Sequence, residues 1–246
     1  MMCFSSDGFR RLTAKPRLEA IGFLFSEKSE QKPRNPRKIQ PPWLTFAPEK
    51  LDRLTVGVLL LDHQDSFTYN LAELIAEVSS LPLTIVPSSE WYPELLEGKK
   101  GVILSPGPMR PKDHPGLFPC IAACTNRNVP LLGVCLGHQG IGEYFGAKLT
   151  RLPQVIHGRK KTIQIQPSSP LFAGIPQAME VGLYHSWMLE KESVPEELDI
   201  IGLSAENEIM AVQHREKPIF GIQFHPESFL SPTGAQLMRN FIRLCS

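Results

Sequence analysis

The 246-residue sequence has few cysteines and no pair at CxxC spacing: Cys3, Cys120, Cys124, Cys135 and Cys245 are odd in number and widely scattered. With no recognisable secretory leader ahead of them, this argues against a disulfide framework and makes a reducing cytoplasm the expected location. Long apolar runs are also missing. The longest near the start, Ala20–Phe25, is far short of the roughly 20 residues a membrane span needs, so no membrane association is expected. No His/Cys/Asp cluster has metal-ligand spacing, so neither a metal nor another cofactor is expected. Charge of one sign is not in excess, since 26 Lys and Arg face 25 Asp and Glu. The balance is uneven along the chain: residues 1–50 carry ten basic and five acidic side chains, which leaves −4 for the remainder. A mildly acidic body argues against nucleic acid as a partner.

What is present suits a globular α/β protein with a full core, at 42% hydrophobic and 21% charged residues. Residues 1–54 stand apart. They are basic, and Pro33, Pro36, Pro41, Pro42 and Pro48 crowd their second half, so they are expected to form an irregular extension. Asp7, Glu19, Glu27 and Glu30 count against a targeting peptide. Residues 55–246 are expected to form one domain. Val56–Leu61 is a continuous apolar run, as in a strand covered on both faces. Phe67, Leu71, Leu74, Ile75 and Val78 then recur at helical spacing, with Ser66 as the expected N-cap. Strands are expected at Leu83–Val86, Gly101–Leu104 and Pro130–Val134, and helices over about 117–125 and from near Gly137. This alternation predicts a doubly wound, mostly parallel sheet of flavodoxin-like type, with its ligand cleft at the carboxyl ends of the strands. Beyond Gly146 shorter, partly antiparallel strands follow (Thr162–Ile165, Ile200–Leu203, Ile209–Gln213, Ile219–Gln223). A helix over about 234–244 closes the chain.

The strongest local signal is Gly133-Val-Cys135-Leu-Gly137-His-Gln139. A buried strand turns sharply into a helix with a cysteine at the corner, the nucleophile-elbow pattern with Cys in place of Ser. Flanking glycines keep side chains out of the turn, and the helix N-terminus supplies partial positive charge. That setting is expected to expose the sulfur and favour its thiolate. A structural cysteine between two packing glycines would read the same way locally. A nucleophile needs a base, and the base needs an orienting group. Phe224-His225-Pro226-Glu227, after an apolar strand, offers both. Of the other histidines (His63, His114, His138, His157, His185, His214), none has a carboxylate so placed after a strand end. Donors for a developing oxyanion are expected from the backbone N–H of Leu136 and from the loop Ser105-Pro-Gly107-Pro-Met109-Arg-Pro111.

With these motifs in order, the sequence resembles the class I (triad) glutamine amidotransferases, and within them component II of anthranilate or aminodeoxychorismate synthase. The resemblance covers about residues 56–244. It rests on Asp62-His-Gln-Asp-Ser-Phe-Thr-Tyr-Asn70, Ser105-Pro-Gly-Pro108, Gly133–Gln139, His157-Gly158, Tyr184-His-Ser186 and Gln223-Phe-His-Pro-Glu-Ser228. It implies that Cys135 attacks the glutamine amide, His225 shuttles the proton and Glu227 orients His225. It further implies that Gly107 and Leu136 form the oxyanion hole. Gln139 and the backbone of Ser186 and Trp187 would hold the amino-acid end of glutamine, with Met109 beside them. A chorismate-binding component I subunit is the implied partner and L-glutamine the substrate. Three residues depart from the usual pattern: His63 for asparagine, Met109 for glycine and Trp187 for leucine. Readings left open are another class I amidotransferase subunit, of GMP synthetase, carbamoyl-phosphate synthetase or CTP synthase type, a cysteine peptidase or deglycase of similar fold, and a non-catalytic regulatory homologue.

Overall fold

The computed structural model describes residues 45–46 and 55–245. The expectation for residues 1–54 falls outside these apart from Thr45–Phe46, which form a short strand, β1, paired in parallel with a later one. The chain then runs β2 (Gly57–Asp62), α1 (Thr68–Val78), β3 (Leu83–Pro87), β4 (Lys99–Leu104), α2 (Leu117–Arg127), β5 (Leu131–Val134) and α3 (Leu136–Tyr144). A second stretch holds β6 (Leu149–Arg151), β7 (Arg159–Ile165), β8 (Ala178–Leu183), β9 (Trp187–Leu189), β10 (Leu198–Ser204) and β11 (Ile209–His214). The chain returns to the parallel region as β12 (Ile219–Ile222) and ends in α4 (Gly234–Leu244).

Ten strands make one sheet in the order β1-β3-β2-β4-β5-β12-β11-β10-β7-β8, and β6 and β9 form a separate antiparallel pair. From β1 to β12 every pairing is parallel; from β12 to β8 every pairing is antiparallel. Taken alone, β3-β2-β4-β5-β12 has the flavodoxin-like order. The expected apolar runs are strands because both faces are covered: Val58, Leu59, Leu60 and Leu61 have no exposed surface. One face packs against α1 and α4, through Leu71, Ile75, Leu237 and Phe241. The other packs against α2 and α3, through Leu117, Ile121 and Ile141. Each fully buried aliphatic side chain of this kind contributes about 1.5–3 kcal/mol.

Two expectations need correcting. Ser66 is not the N-cap of α1; Phe67 holds that position. The turn before the helix is held by carboxylates instead, with Asp65 Oδ1 accepting the Phe67 N–H at 2.8 Å and Asp62 Oδ1 accepting the Thr68 hydroxyl at 2.8 Å. A carboxylate accepts such bonds more strongly than a hydroxyl, so it wins the turn. Strands β6, β8 and β9 were not expected; β6 and β9 have only three pairings, which leaves too little alternation to read, whereas β8 has six.

Among the described residues, no helix is long and apolar enough to cross a membrane, and no group of three or more His, Cys, Asp or Glu side chains is gathered for a metal ion.

Candidate active site

Cys135 stands between β5 and α3 with φ 51° and ψ −97°. A side-chain-bearing residue in such a conformation typically stores about 1–3 kcal/mol of strain. Its backbone is pinned from both sides, by the Cys135 N–H to the Ile222 carbonyl at 2.8 Å and the Gln139 N–H to the Cys135 carbonyl at 3.0 Å. The flanking glycines are required for close approach. A Cβ on Gly137 would sit 2.6 Å from Leu104 Cβ, and one on Gly133 would run into the Gly137 backbone. The expectation of an exposed sulfur needs refinement, since only 6% of Cys135 is accessible. The residue lies at the floor of a cleft rather than on the surface.

That cleft has two adjoining lobes with Cys135 in the wall of each. One, of about 320 Å³, extends toward Met109, Gln139, Ser186 and Trp187. The other, of about 200 Å³, extends toward Phe67 and His225. Gly107, Asp65, His157 and Tyr184 line both. A larger cavity of about 480 Å³ lies beside Val78, Lys100, Arg239 and Cys245. It lacks the chemistry: burial pushes the Cys245 thiol up to about 12, and no histidine lines the cavity.

His225 follows β12 and is strapped down by the antiparallel part of the sheet. Its N–H donates to the Gly182 carbonyl at 3.0 Å, and the Ser231 hydroxyl donates to the His225 carbonyl at 2.7 Å. Gly182 permits this approach, because a Cβ there would lie 2.8 Å from Ser228 Oγ. Phe67 and Tyr184 pack edge-on against the imidazole, each with ring centroids 5.0 Å away. Nδ1 lies 2.7 Å from Glu227 Oε1, and both side chains are shut off from solvent. Burial on its own disfavours the imidazolium. The hydrogen bonds and opposite charge offered by Cys135 and Glu227 outweigh that and raise the pKa of His225 from 6.5 to about 10. Nε2 has no partner at ordinary hydrogen-bond geometry among the described residues, yet the sulfur is near enough to act on the ring.

The loop after β4 lines both lobes of the cleft alongside Cys135. Its shape is set by Met109 in the left-handed region, φ 66°, and by two histidines. His63 holds Ser105 through its backbone N–H at 2.9 Å and its ring at 3.2 Å; His114 Nε2 donates to the Pro108 carbonyl at 2.8 Å. Burial, aided by nearby His114, lowers the pKa of His63 to about 3, so its ring is neutral.

Residues 59–245 match the family model described as Glutamine amidotransferase class-I. The chain belongs to the class I glutamine amidotransferases. It is 40% identical over 187 residues to anthranilate synthase component 2 of Cyanophora paradoxa, across 75% of this chain and 97% of that protein. To the aminodeoxychorismate synthase of Streptomyces griseus it is 38% identical over 185 residues, across 74% of this chain but only 25% of that larger protein. A solved glutamine amidotransferase of Thermotoga maritima shares the fold, with TM-score 0.66 and 19% identity over 77% of this chain and 97% of that one.

In this amidotransferase the residues singled out from sequence converge on one cleft. Cys135, Gly107, Met109, Gln139, Ser186 and Trp187 line one lobe, and His225 joins Cys135 and Gly107 in the other. Leu136 opens α3, where a first-turn N–H has no acceptor within the helix. The Ser186 carbonyl already accepts from the Leu152 N–H at 2.9 Å, and the Trp187 carbonyl from Gln139 Nε2 at 2.8 Å and His185 Nδ1 at 2.9 Å. Sequence reasoning missed Phe67, Tyr184 and Gln223 as parts of the site. All three stand inside quoted motifs, but only the folded chain shows that they touch His225 or Cys135.

Proposed function

We propose that the chain is the glutaminase subunit of a chorismate-using amidotransferase, releasing ammonia for anthranilate or aminodeoxychorismate synthesis. The observation that carries the chemistry is the joining of a strained corner cysteine, a proton-holding imidazole and a buried carboxylate in one cleft. Cys135 attacks the side-chain amide carbon of glutamine, and the oxyanion that forms is met by the Gly107 and Leu136 N–H groups. His225, kept protonated by its neighbours, gives its proton to the leaving nitrogen, and ammonia departs from the thioester. Water, deprotonated by His225, then attacks the thioester carbon, glutamate leaves and the sulfur regains its starting state. Glu227 orients the imidazole throughout. Gln139, Ser186, Trp187 and Met109 form the wall that receives the amino-acid end of the substrate.

The chorismate branch is supported by the relatives, one a component 2 matched over nearly its whole length. Ammonia made in the cleft needs an acceptor, and a chorismate-binding component I subunit is the matching partner. The test is glutamate release from glutamine, with and without each candidate chorismate-binding subunit. Weak turnover alone and at least about tenfold more in one complex is expected. Equal turnover in all states would overturn the subunit reading, and full activity of Cys135→Ser would overturn the chemistry. Which component copurifies, and whether the complex then makes anthranilate or aminodeoxychorismate, assigns the product.

A further inference from the structure

Gln223 directly follows β12, just before Phe224-His225, and has no exposed surface. Its backbone N–H is fixed on the Met210 carbonyl at 2.9 Å. Its side chain links the substrate wall to the nucleophile. Nε2 of Gln223 lies 3.6 Å from Cys135 Sγ, and its Oε1 accepts from Gln139 Nε2 at 3.2 Å. Gln139 Nε2 also donates to the Trp187 carbonyl at 2.8 Å.

The direction of this chain follows from its backbone end. A carbonyl oxygen only accepts, so Gln139 must present its nitrogen to Trp187. Its second N–H then calls for an oxygen on Gln223, which turns the Gln223 NH₂ group toward sulfur. An isolated amide could point either way; this one is oriented from Trp187 outward. A buried amide aimed at a neutral thiol would be poorly compensated, because sulfur in that form is a weak acceptor. Aimed at a thiolate, it makes a charge-assisted bond.

We propose that Gln223 is a further catalytic residue, whose amide donates to the Cys135 thiolate, and that Gln139 is a positioning residue that orients it. The proposal rests on the reading of Cys135 as nucleophile. It ties the sulfur to Trp187, a residue of the glutamine-receiving wall, so that whatever shifts the Trp187 carbonyl is felt at the sulfur.

The titratable groups facing the sulfur are His225 with Glu227, Asp65 on the loop before α1, and His157 and His185 across the cleft. The test variants leave all of them in place. Gln223→Met removes the donor at nearly constant volume; Gln139→Leu removes the orienting group without touching Gln223. Full-length chains would be alkylated with iodoacetamide from about pH 5 to about pH 10, a range that brackets ordinary thiols. Peptide mass locates the labelled cysteine, and a thermal melt reports folding. For Gln223→Met we expect the midpoint of the Cys135 rate–pH curve to rise by about one unit, with labelling at neutral pH about tenfold slower. Glutamine kcat should fall by a similar factor with KM within about twofold. Gln139→Leu should move the midpoint the same way by about half as much. An unmoved midpoint in a folded Gln223→Met protein would leave Gln223 a packing residue and defeat the proposal. If Gln223→Met does not fold, an unmoved midpoint in Gln139→Leu defeats it equally. Retained glutamate release by Cys135→Ser is a separate result, which strikes the nucleophile reading itself.

Discussion

The parallel strands β2 to β5 with β12, and the antiparallel strands β7, β8, β10 and β11 together with the separate pair β6–β9, differ in how they are built and in what they give the cleft. In the parallel part the strands are buried on both faces and flanked by helices, so they are short and continuously apolar. In the antiparallel part β7 alternates over its second half, with Ile163 and Ile165 inward and Thr162 and Gln164 outward. The first part carries Cys135 after β5 and His225 after β12. The second holds those groups in place and walls the cleft, through Gly182, Tyr184, His185, Ser186 and Trp187. The parallel core thus bears the strained Cys135, while the antiparallel region lines the cleft and straps down His225.

The division can be broken first at the reacting groups. Cys135→Ala is expected to lower glutamate release by on the order of 10⁴-fold or more with the fold intact, as circular dichroism and a coupled glutamate assay would show. Glu227→Gln should cost about 10²-fold or more in kcat, and its sign with pH is diagnostic. The folded-state pKa of His225, about 10, lies above the ordinary 6.5. The stabilisation from its charge is therefore complete below about 6.5 and is lost as pH rises through about 10. Melting temperature across that window should fall more for wild type than for Glu227→Gln, and the alkaline limb of the activity profile should move to lower pH in the variant.

Packing at the elbow comes next. Gly137→Ala places a methyl group against Leu104 and is expected to cost about 1–3 kcal/mol, read as a lower denaturation midpoint. In the antiparallel part, Gly182→Ala would push on Ser228 and displace the His225 loop. A roughly tenfold loss in kcat is expected, with KM little changed. The smallest effect is expected at Trp187, whose ring stacks with Arg110 of the loop after β4 at 5.5 Å. Trp187→Leu gives up about 0.5–1 kcal/mol, a few-fold rise in KM for glutamine; a large loss of kcat instead would mean that the ring shapes the loop after β4.

The elbow was legible because its requirements are local: a strand of buried residues, a corner, and glycines at fixed spacing. His225 and Glu227 were legible because a single proline separates two side chains that must share one strand end. Gln223 sat in the same motif and gave no sign of its contact with Cys135, since the two lie 88 positions apart. Tyr184 and Gly182 were silent for the same reason; the miss at the start of α1 was local, with Phe67 as N-cap and Asp65 Oδ1 accepting the Phe67 N–H.

By itself the sequence determined the layered α/β arrangement, the corner that strains Cys135 and the family to which the chain belongs, because short-range periodicity and backbone sterics suffice for these. The tertiary structure alone decided how deeply the sulfur lies, which aromatic rings close over His225, and that an amide chain runs from Trp187 to Cys135. Those depend on α3, β9 and the segment after β12 meeting across long stretches of chain, and no local pattern of residues records where such distant segments come to rest.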